Sequence, residues 1–402
     1  MKEIKITQLK AEEQDRNFDI SSFGVEQAKH VKAFHESFPE YIRTPLVELK
    51  GLAKALGVKN IFIKDESYRF GLNAFKALGG SYAIGSYLAH KNNLSEDSIT
   101  YEVIQNLAHS GEKETFITAT DGNHGRGVAW TCNRLKQNAV VRMPNGTVAE
   151  RLKNIQKLGA DASITEFNYD DTVRLCHKMS QENGWILVQD TSWPGYEEIP
   201  RKVMQGYGTM AAEACEQLGN IIPTHVFLQA GVGTMAGSVT AYLADYYKNN
   251  KPLITIVEPH QANCLYQTAL ANDGTLHFVG GKLDSIMAGL CCGEPCPLAW
   301  DVLKNYAEFF VSMPDEIAAE GMRILAGGTE GDEKIISGES GASSAGLAFC
   351  ALKYKEFAWL KEKLGLNEDS VLLCISTEGD TDKENYHRIV NENAWSVNFN
   401  ED

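Results

Sequence analysis

One lysine stands alone among small and apolar residues in the segment GLNAFKALGG, which covers residues 71–80. A buried ammonium group is costly unless it finds a carboxylate or loses its proton. A desolvated lysine with a lowered pKa is a common amine nucleophile, and aldehydes are its natural targets. Lys76 is therefore a candidate for covalent chemistry, although a lysine on an amphipathic helix more often sends its ammonium group to solvent.

A glycine-rich turn with the sequence AGVGTMAG, residues 230–237, is a candidate phosphate site. It follows the apolar run HVFLQ and opens a helical stretch, so backbone N–H groups and a helix N-terminus would face an anion there. A plain tight turn is the alternative interpretation. A dinucleotide site would need the third glycine one position before Gly237, although Glu258 follows at a suitable distance. The spacing disfavours a nicotinamide cofactor.

The segment TATDGNHGRG, residues 118–127, carries Asp121, Asn123 and His124 directly after a predicted strand. Asp and Asn between a strand and a helix are often simple caps. Because the lysine segment and the glycine-rich turn occur in the same chain, these residues are candidates for a functional site as well as for helix caps. An aldehyde that also carries a phosphate would use both Lys76 and the glycine-rich turn, and pyridoxal phosphate has both groups.

Short apolar or β-branched runs alternate with helical stretches along most of the chain. Examples are NIFIKDE before the lysine segment and HVFLQ before the glycine-rich turn. This alternation, with glycine at the turns, predicts an α/β fold of parallel-rich sheets flanked by helices. Two polar stretches indicate places where the chain passes from one domain to the other. We expect a small inserted α/β domain over about residues 89–191 and a large domain made of residues 1–88 and 192–402.

The composition of the 402-residue chain argues against nucleic-acid and membrane partners. It has 38 Lys and Arg residues against 53 Asp and Glu residues, a formal net charge of −15, which would repel phosphate backbones and anionic lipids. It has no signal-peptide pattern and no apolar run long enough to span a bilayer, which predicts a cytoplasmic protein. Cys291, Cys292 and Cys296 lack a second Cys/His cluster at matching spacing, so we predict no metal site.

Taken together, the motifs resemble those of the fold-type II pyridoxal-phosphate enzymes, whose members include threonine and serine dehydratases and tryptophan synthase β-chains. NAFKALGG resembles the Schiff-base lysine motif, TDGNHG the asparagine loop and AGVGTMAG the phosphate cup. STEGDTD, residues 376–382, resembles the segment that faces the pyridine nitrogen, and SGESGASSAG, residues 337–346, is another recurrent stretch. The likeness spans most of the chain. It implies a two-domain fold with the cofactor in the cleft between the domains, and a homodimer.

The resemblance also implies roles for individual residues. Lys76 would hold pyridoxal 5'-phosphate covalently, Phe75 would pack beside it, and the small residues around them would leave room for the ring. Asn123 would hydrogen-bond the ring hydroxyl. Ser376 or its neighbour Thr377 would contact the ring nitrogen, and a neutral hydroxyl there favours prompt loss of a β leaving group. The turn would bind the phosphate through Gly231, Val232, Gly233, Thr234 and Gly237.

Within this family the chain looks closest to enzymes of amino-acid degradation that convert 2,3-diaminopropionate to pyruvate and two ammonia molecules. Dehydratases usually have serine or alanine where this chain has Asp121. A carboxylate there would bind the β-ammonium group of a substrate, or act as a second base opposite Lys76 and so admit both D and L isomers. Asp190 is a further candidate carboxylate, with a surface turn as its alternative. His124 is expected to pack around Asn123 and not to carry protons.

Three rival functions are open at this point. A serine or threonine dehydratase is the nearest, and it differs in the leaving group. An NAD-dependent oxidoreductase is disfavoured by the glycine spacing and has no use for Lys76. A non-catalytic cofactor carrier would keep the colour of the bound cofactor and turn over no amino acid.

Overall fold

The computed structural model describes residues 3–110, 113–120 and 122–397. Its strands are β1 (Lys5–Gln8), β2 (Leu46–Glu48), β3 (Asn60–Asp65), β4 (Thr115–Ala119), β5 (Asn138–Met143), β6 (Asp161–Ile164), β7 (Ile186–Leu187), β8 (His225–Gln229), β9 (Leu253–Pro259), β10 (Phe309–Met313) and β11 (Val371–Ser376). Its α-helices are α1 (Val25–Glu36), α2 (Lys50–Leu56), α3 (Ala77–Lys91), α4 (Tyr101–Ser110), α5 (Asn123–Arg134), α6 (Ala149–Gln156), α7 (Tyr169–Asn183), α8 (Glu198–Leu218), α9 (Thr234–Tyr247), α10 (Cys264–Ala271), α11 (Pro297–Tyr306), α12 (Asp315–Gly327), α13 (Glu339–Lys353), α14 (Ala358–Leu364) and α15 (Lys383–Val390).

The strands form two sheets. The larger has the order β1-β10-β9-β8-β11-β3-β2, and only its edge strands β1 and β2 pair antiparallel with their neighbours. The smaller has the order β6-β5-β4-β7 and is parallel throughout. Its strands lie between Thr115 and Leu187, inside the sequence that builds the larger sheet. The predicted α/β fold with parallel-rich sheets is confirmed, whereas the domain boundaries at 88/89 and 191/192 stay a prediction.

The central strands of the larger sheet are buried on both faces. Every residue of β8 and of β11 is buried, which explains why these strands read as continuous apolar runs. Because successive side chains point to opposite faces, Val226 and Leu228 join one core cluster while Phe227 joins another. Helices on both faces therefore supply the two halves of the core.

Three of the predicted motifs follow strands whose carboxyl ends meet at one edge of the larger sheet. Strand β11 pairs in parallel with β3 and with β8, and Ser376 stands opposite Asp65 in the register. The lysine segment follows β3, the glycine-rich turn follows β8, and STEGDTD begins with the last residue of β11. In parallel α/β sheets this edge is the usual place for a ligand.

In the part of the chain that the structure describes, no helix is both long enough and apolar enough to cross a membrane.

Candidate active site

The side chains of Lys76 and Asp190 form an ion pair. Nζ of Lys76 lies 2.5 Å from Oδ2 of Asp190, and the two side chains are 16% and 1% exposed. Burial alone would raise the pKa of the Asp190 carboxyl. The charges of Lys76 and His124, with hydrogen bonds from Lys76 and Tyr169, instead hold that pKa well below its usual range. Asp190 is thus a buried, ionised carboxylate and not a residue of a surface turn.

Two side chains that the motifs did not indicate hold Asp190 in place. The hydroxyl of Tyr169, the first residue of α7, donates to Oδ1 of Asp190 at 3.0 Å. Nε2 of Gln189 donates to the Tyr169 hydroxyl at 2.8 Å and to the same carboxylate oxygen at 3.2 Å. One oxygen of Asp190 is therefore committed to these donors while the other faces Lys76.

Close helix packing fixes Lys76, which directly precedes α3. A Cβ atom at Gly127 of α5 would lie 2.8 Å from Cα of Ala77, and one at Gly206 of α8 would lie 2.4 Å from the carbonyl oxygen of Leu78. A Cβ atom at Gly79 would lie 2.7 Å from the Tyr207 ring. The small residues after Lys76 thus make room for neighbouring helices, where we expected room for a ring.

Backbone hydrogen bonds join the residues before Lys76 to those after β11. The N–H of Phe75 donates to the carbonyl oxygen of Thr377 at 3.1 Å, and Ala74 forms an antiparallel bridge with Glu378. The Phe75 ring is buried, with its centroid 4.8 Å from that of Tyr207. These contacts fix the position of the lysine segment relative to the STEGDTD segment.

An inner recess lies where the motifs meet. It is lined by predicted residues from each motif, namely Phe75, Lys76, Asn123, Asp190, Gly231, Val232, Gly233, Thr234 and Thr377. Gly233 has a φ of +100°, which favours glycine, and it stands directly before α9. A Cβ atom at Gly231 would lie 3.0 Å from Sγ of Cys292. Gly237 is placed differently, one turn into α9, where its Cα packs against Ala299.

Of the two hydroxyl groups expected near a ring nitrogen, the geometry favours Thr377. Its side chain lines the recess, where Oγ1 accepts from Nε2 of Gln229 at 2.9 Å. The hydroxyl of Ser376 donates to Oγ of Ser337 at 2.8 Å. Oε1 of Gln229 is buried in the recess wall and accepts no hydrogen bond from a described residue.

The asparagine loop also contributes to the lining of the recess. Asn123 begins α5, and its Nδ2 donates to Oε2 of Glu378 at 2.5 Å. His124 is buried, and its Nε2 lies 2.8 Å from the carbonyl oxygen of Val188. Asp121 lies outside the described residues, and both of its roles stay predictions.

The recess opens into an outer chamber of about 700 Å³ at Lys76, Gly289 and Cys292. Residues 144–148, Arg151 and Tyr169 line part of the chamber, and most of the residues from 281 to 292, which precede α11, line another part. A cavity of this size accommodates a small amino acid.

Glu258, the acidic residue that a dinucleotide site would use, has a structural role in this fold. It is fully buried, and its carboxylate accepts from the N–H groups of Leu265 and Tyr266 at the start of α10. This helix-start role disfavours the dinucleotide interpretation further. Among the described residues, no three or more His, Cys, Asp and Glu side chains are grouped so as to hold a metal ion.

Comparison with known proteins gives consistent matches. Residues 38–376 match the family model described as pyridoxal-phosphate dependent enzyme. A curated diaminopropionate ammonia-lyase of Escherichia coli (strain K12) is 49% identical over 377 residues, covering 93% of this chain and 94% of the relative. The crystal structure of the holo Escherichia coli diaminopropionate ammonia lyase matches with a TM-score of 0.92 and 47% identity over 98% of both chains. Its complex with D-serine matches with a TM-score of 0.90 and 46% identity, again over 98% of both chains.

Proposed function

Because the chain belongs to the family of pyridoxal-phosphate dependent enzymes, we propose that it is a carbon–nitrogen lyase that converts 2,3-diaminopropionate to pyruvate and two ammonia molecules. The Escherichia coli relatives named for this activity are similar to it over nearly its whole length. The observation that carries the proposal is the pair of Lys76 and buried Asp190, at the junction of a glycine-walled recess and an amino-acid-sized chamber.

The residues that line the inner recess suit pyridoxal 5'-phosphate in their chemistry. Lys76 supplies an amine for its aldehyde, and the backbone from Gly231 to Thr234, with the N-terminus of α9, supplies donors for its phosphate. Gly233 adopts a backbone conformation that a larger residue would strain. Thr377 and the unsatisfied oxygen of Gln229 add polar groups beside the ring position. When bound, the cofactor supplies an aldehyde that captures the amino acid and a ring that accepts electrons.

We assign Lys76 and Asp190 as the proton-handling pair. An amine attacks and accepts protons only when it is unprotonated, and ionised Asp190, whose Oδ2 lies 2.5 Å from Nζ of Lys76, stabilises the ammonium form that Lys76 takes when it accepts a proton. With the cofactor bound, Lys76 would serve as the base for the Cα proton of the substrate on the side that Lys76 faces. Tyr169 and Gln189 keep Asp190 oriented for this role.

Asp121 is the proposed second carboxylate, either as a base on the other face or as the partner of the substrate's β-ammonium group. The complex of the Escherichia coli relative with D-serine supports a site that admits a D amino acid. Asp121→Asn, assayed on each isomer separately, distinguishes the roles. A loss confined to one isomer supports the second base, whereas equal loss on both supports substrate binding.

Two further properties implied by the sequence remain proposals. A homodimer is expected from the family likeness, and light scattering of the purified protein measures its mass in solution. A cytoplasmic location is the second, and fractionation of the source cells tests it.

Product stoichiometry tests the proposed reaction against its nearest rival. A serine or threonine dehydratase releases one ammonia for each 2-oxo acid, whereas elimination from 2,3-diaminopropionate releases two for each pyruvate. We expect the double release with 2,3-diaminopropionate and a lower kcat/KM with serine. Efficient turnover of serine with none of 2,3-diaminopropionate would favour the dehydratase.

A further inference from the structure

The carboxylate of Glu378 is buried beside the inner recess, and the groups that hydrogen-bond it there are donors. Oε2 accepts from Nδ2 of Asn123 at 2.5 Å and from Oγ1 of Thr381 at 3.1 Å. Oε1 accepts from the backbone N–H of Ser340 at 3.2 Å, in the first turn of α13. Glu378 is 2% exposed and lines the recess. Both oxygens of the Glu378 side chain therefore serve as hydrogen-bond acceptors here.

This environment decides which way the side-chain amide of Asn123 faces. The oxygen and nitrogen of an amide exchange places by a half-turn about its last bond. In the reversed orientation Oδ1 of Asn123 would meet Oε2 of Glu378, and two buried acceptors in contact are unfavourable. Glu378 therefore keeps Nδ2 toward itself, which leaves the second hydrogen of that nitrogen for another acceptor.

The main chain around Glu378 is held firmly, so that Glu378 can fix the orientation of the Asn123 amide. Its carbonyl oxygen accepts from the N–H of Gly338 at 2.9 Å, and its backbone bridges to Ala74. A Cβ atom at Gly341 would lie 2.7 Å from that carbonyl oxygen, so α13 packs directly on it. Asn123, in contrast, belongs to α5, which follows a strand of the smaller sheet. The hydrogen bond from Asn123 to Glu378 thus joins the two halves of the recess.

We propose that Glu378 is a positioning residue that orients the amide of Asn123 so that Nδ2 donates to an anionic oxygen of the bound cofactor. The inference rests on the proposed function, because it takes pyridoxal phosphate as the occupant of the recess. Glu378 acts through Asn123 and not on the substrate. Replacing Glu378 should therefore change the affinity for the cofactor.

The test is titration of the cofactor-free enzyme with pyridoxal phosphate, followed by fluorescence, for wild type and Glu378→Gln. In the variant, the backbone N–H of Ser340 still needs an acceptor and fixes the new amide oxygen on its side. The new NH2 group then faces Asn123, whose amide turns and presents Oδ1 to the cofactor. We expect the dissociation constant to rise about tenfold. An unchanged dissociation constant would overturn the proposal.

Two comparisons separate orientation from general destabilisation. Glu308→Gln makes the same change at a mostly buried glutamate that accepts a backbone N–H, that of Ile254 at the amino end of β9, and we expect it to stay within about twofold of wild type. In an Asn123→Ala background, Glu378→Gln should have little further effect. A full tenfold loss in that background would show that Glu378 does not act through Asn123, contradicting the proposal.

A second variant covers the case in which Glu378→Gln does not fold. Glu378→Asp keeps a carboxylate but shortens the side chain, which withdraws the acceptor from Nδ2 of Asn123. The amide is then no longer held in one orientation, and we expect the dissociation constant for pyridoxal phosphate to rise severalfold in the wild-type background and little in an Asn123→Ala background. An unchanged dissociation constant would contradict the proposal. Absence of cofactor binding by wild type would instead contradict the proposed function.

Discussion

Lys76 and Asp190 come from different sheets and meet with their charged atoms 2.5 Å apart. Lys76 precedes α3 at the edge of the larger sheet, and Asp190 follows β7 of the smaller sheet. Buried pairs of this kind leave an uncompensated charge when one partner is removed. The pair therefore links the segments that follow the two sheets, and in the proposed function it is the chemical centre of the site.

Replacing Asp190 by asparagine keeps its shape and removes the negative charge beside Lys76. We predict a fall in kcat of about a hundredfold or more, the range expected for loss of a positioned acid–base group. Asp245→Asn is the matched control, because Asp245 accepts from the N–H of Val25 far from the recess. Steady-state kinetics and thermal unfolding of both variants check this, and a loss below about threefold at Asp190 would exclude a role in proton transfer.

The same pair makes stability depend on pH in the cofactor-free protein. The pKa of Asp190 is lower in the folded protein than the value of about 3.9 for an unfolded aspartate. Its ionised form therefore stabilises the fold above about pH 4, and this contribution is lost as pH falls through the folded pKa. Urea unfolding should show a constant deficit for Asp190→Asn between about pH 5 and 7 that shrinks below about pH 4. A deficit independent of pH down to acid unfolding would contradict this.

Tyr169→Phe removes one donor to the Asp190 carboxylate and leaves the donor Gln189 in place. Loss of a hydrogen bond to the charged form raises the pKa of that carboxyl. We predict a fall in kcat/KM of about tenfold, because a hydrogen bond to a charged group is lost and Asp190 is held less firmly beside Lys76. Tyr306→Phe is the control, since its hydroxyl donates to the carbonyl oxygens of Arg16 and Phe18. Equal values of kcat/KM for wild type and Tyr169→Phe would refute the coupling.

Gly233→Ala tests the glycine-rich turn as the phosphate site. Gly233 has a φ of +100°, and a Cβ atom there would lie 3.1 Å from Cδ1 of Leu265. We predict a loss of about 1–2 kcal/mol in unfolding free energy from backbone strain, together with weaker binding of pyridoxal phosphate. Gly274→Ala carries a similar strain, with a φ of +82° and open space around it. Equal loss of cofactor affinity in both variants would show that the turn has no special role.

Residues that a local sequence pattern places in the site can be predicted from sequence, whereas residues that only tertiary packing brings there cannot. That Lys76, Asn123 and Thr377 line one recess agrees with the sequence pattern, because each follows a strand of a parallel α/β fold, whereas their roles were implied by the family resemblance and stay predictions. The contacts of Tyr169 and Glu378 were not predictable, because tertiary packing alone brings α7 to Asp190 and the segment after β11 to Asn123. The strands of the sheets could also be predicted from apolar runs. The structure was needed to show that the small residues beside Lys76 allow α5 and α8 to approach closely.

The most direct measurement is the absorbance spectrum of the purified enzyme before and after addition of 2,3-diaminopropionate, with pyruvate and ammonia followed alongside. We predict a cofactor band that requires Lys76, changes on adding substrate, and accompanies release of two ammonia molecules for each pyruvate. A Lys76→Ala variant should lose the substrate-dependent turnover. A wild-type protein whose spectrum stays flat after pyridoxal phosphate is added, and which releases no pyruvate, would contradict the proposed reaction.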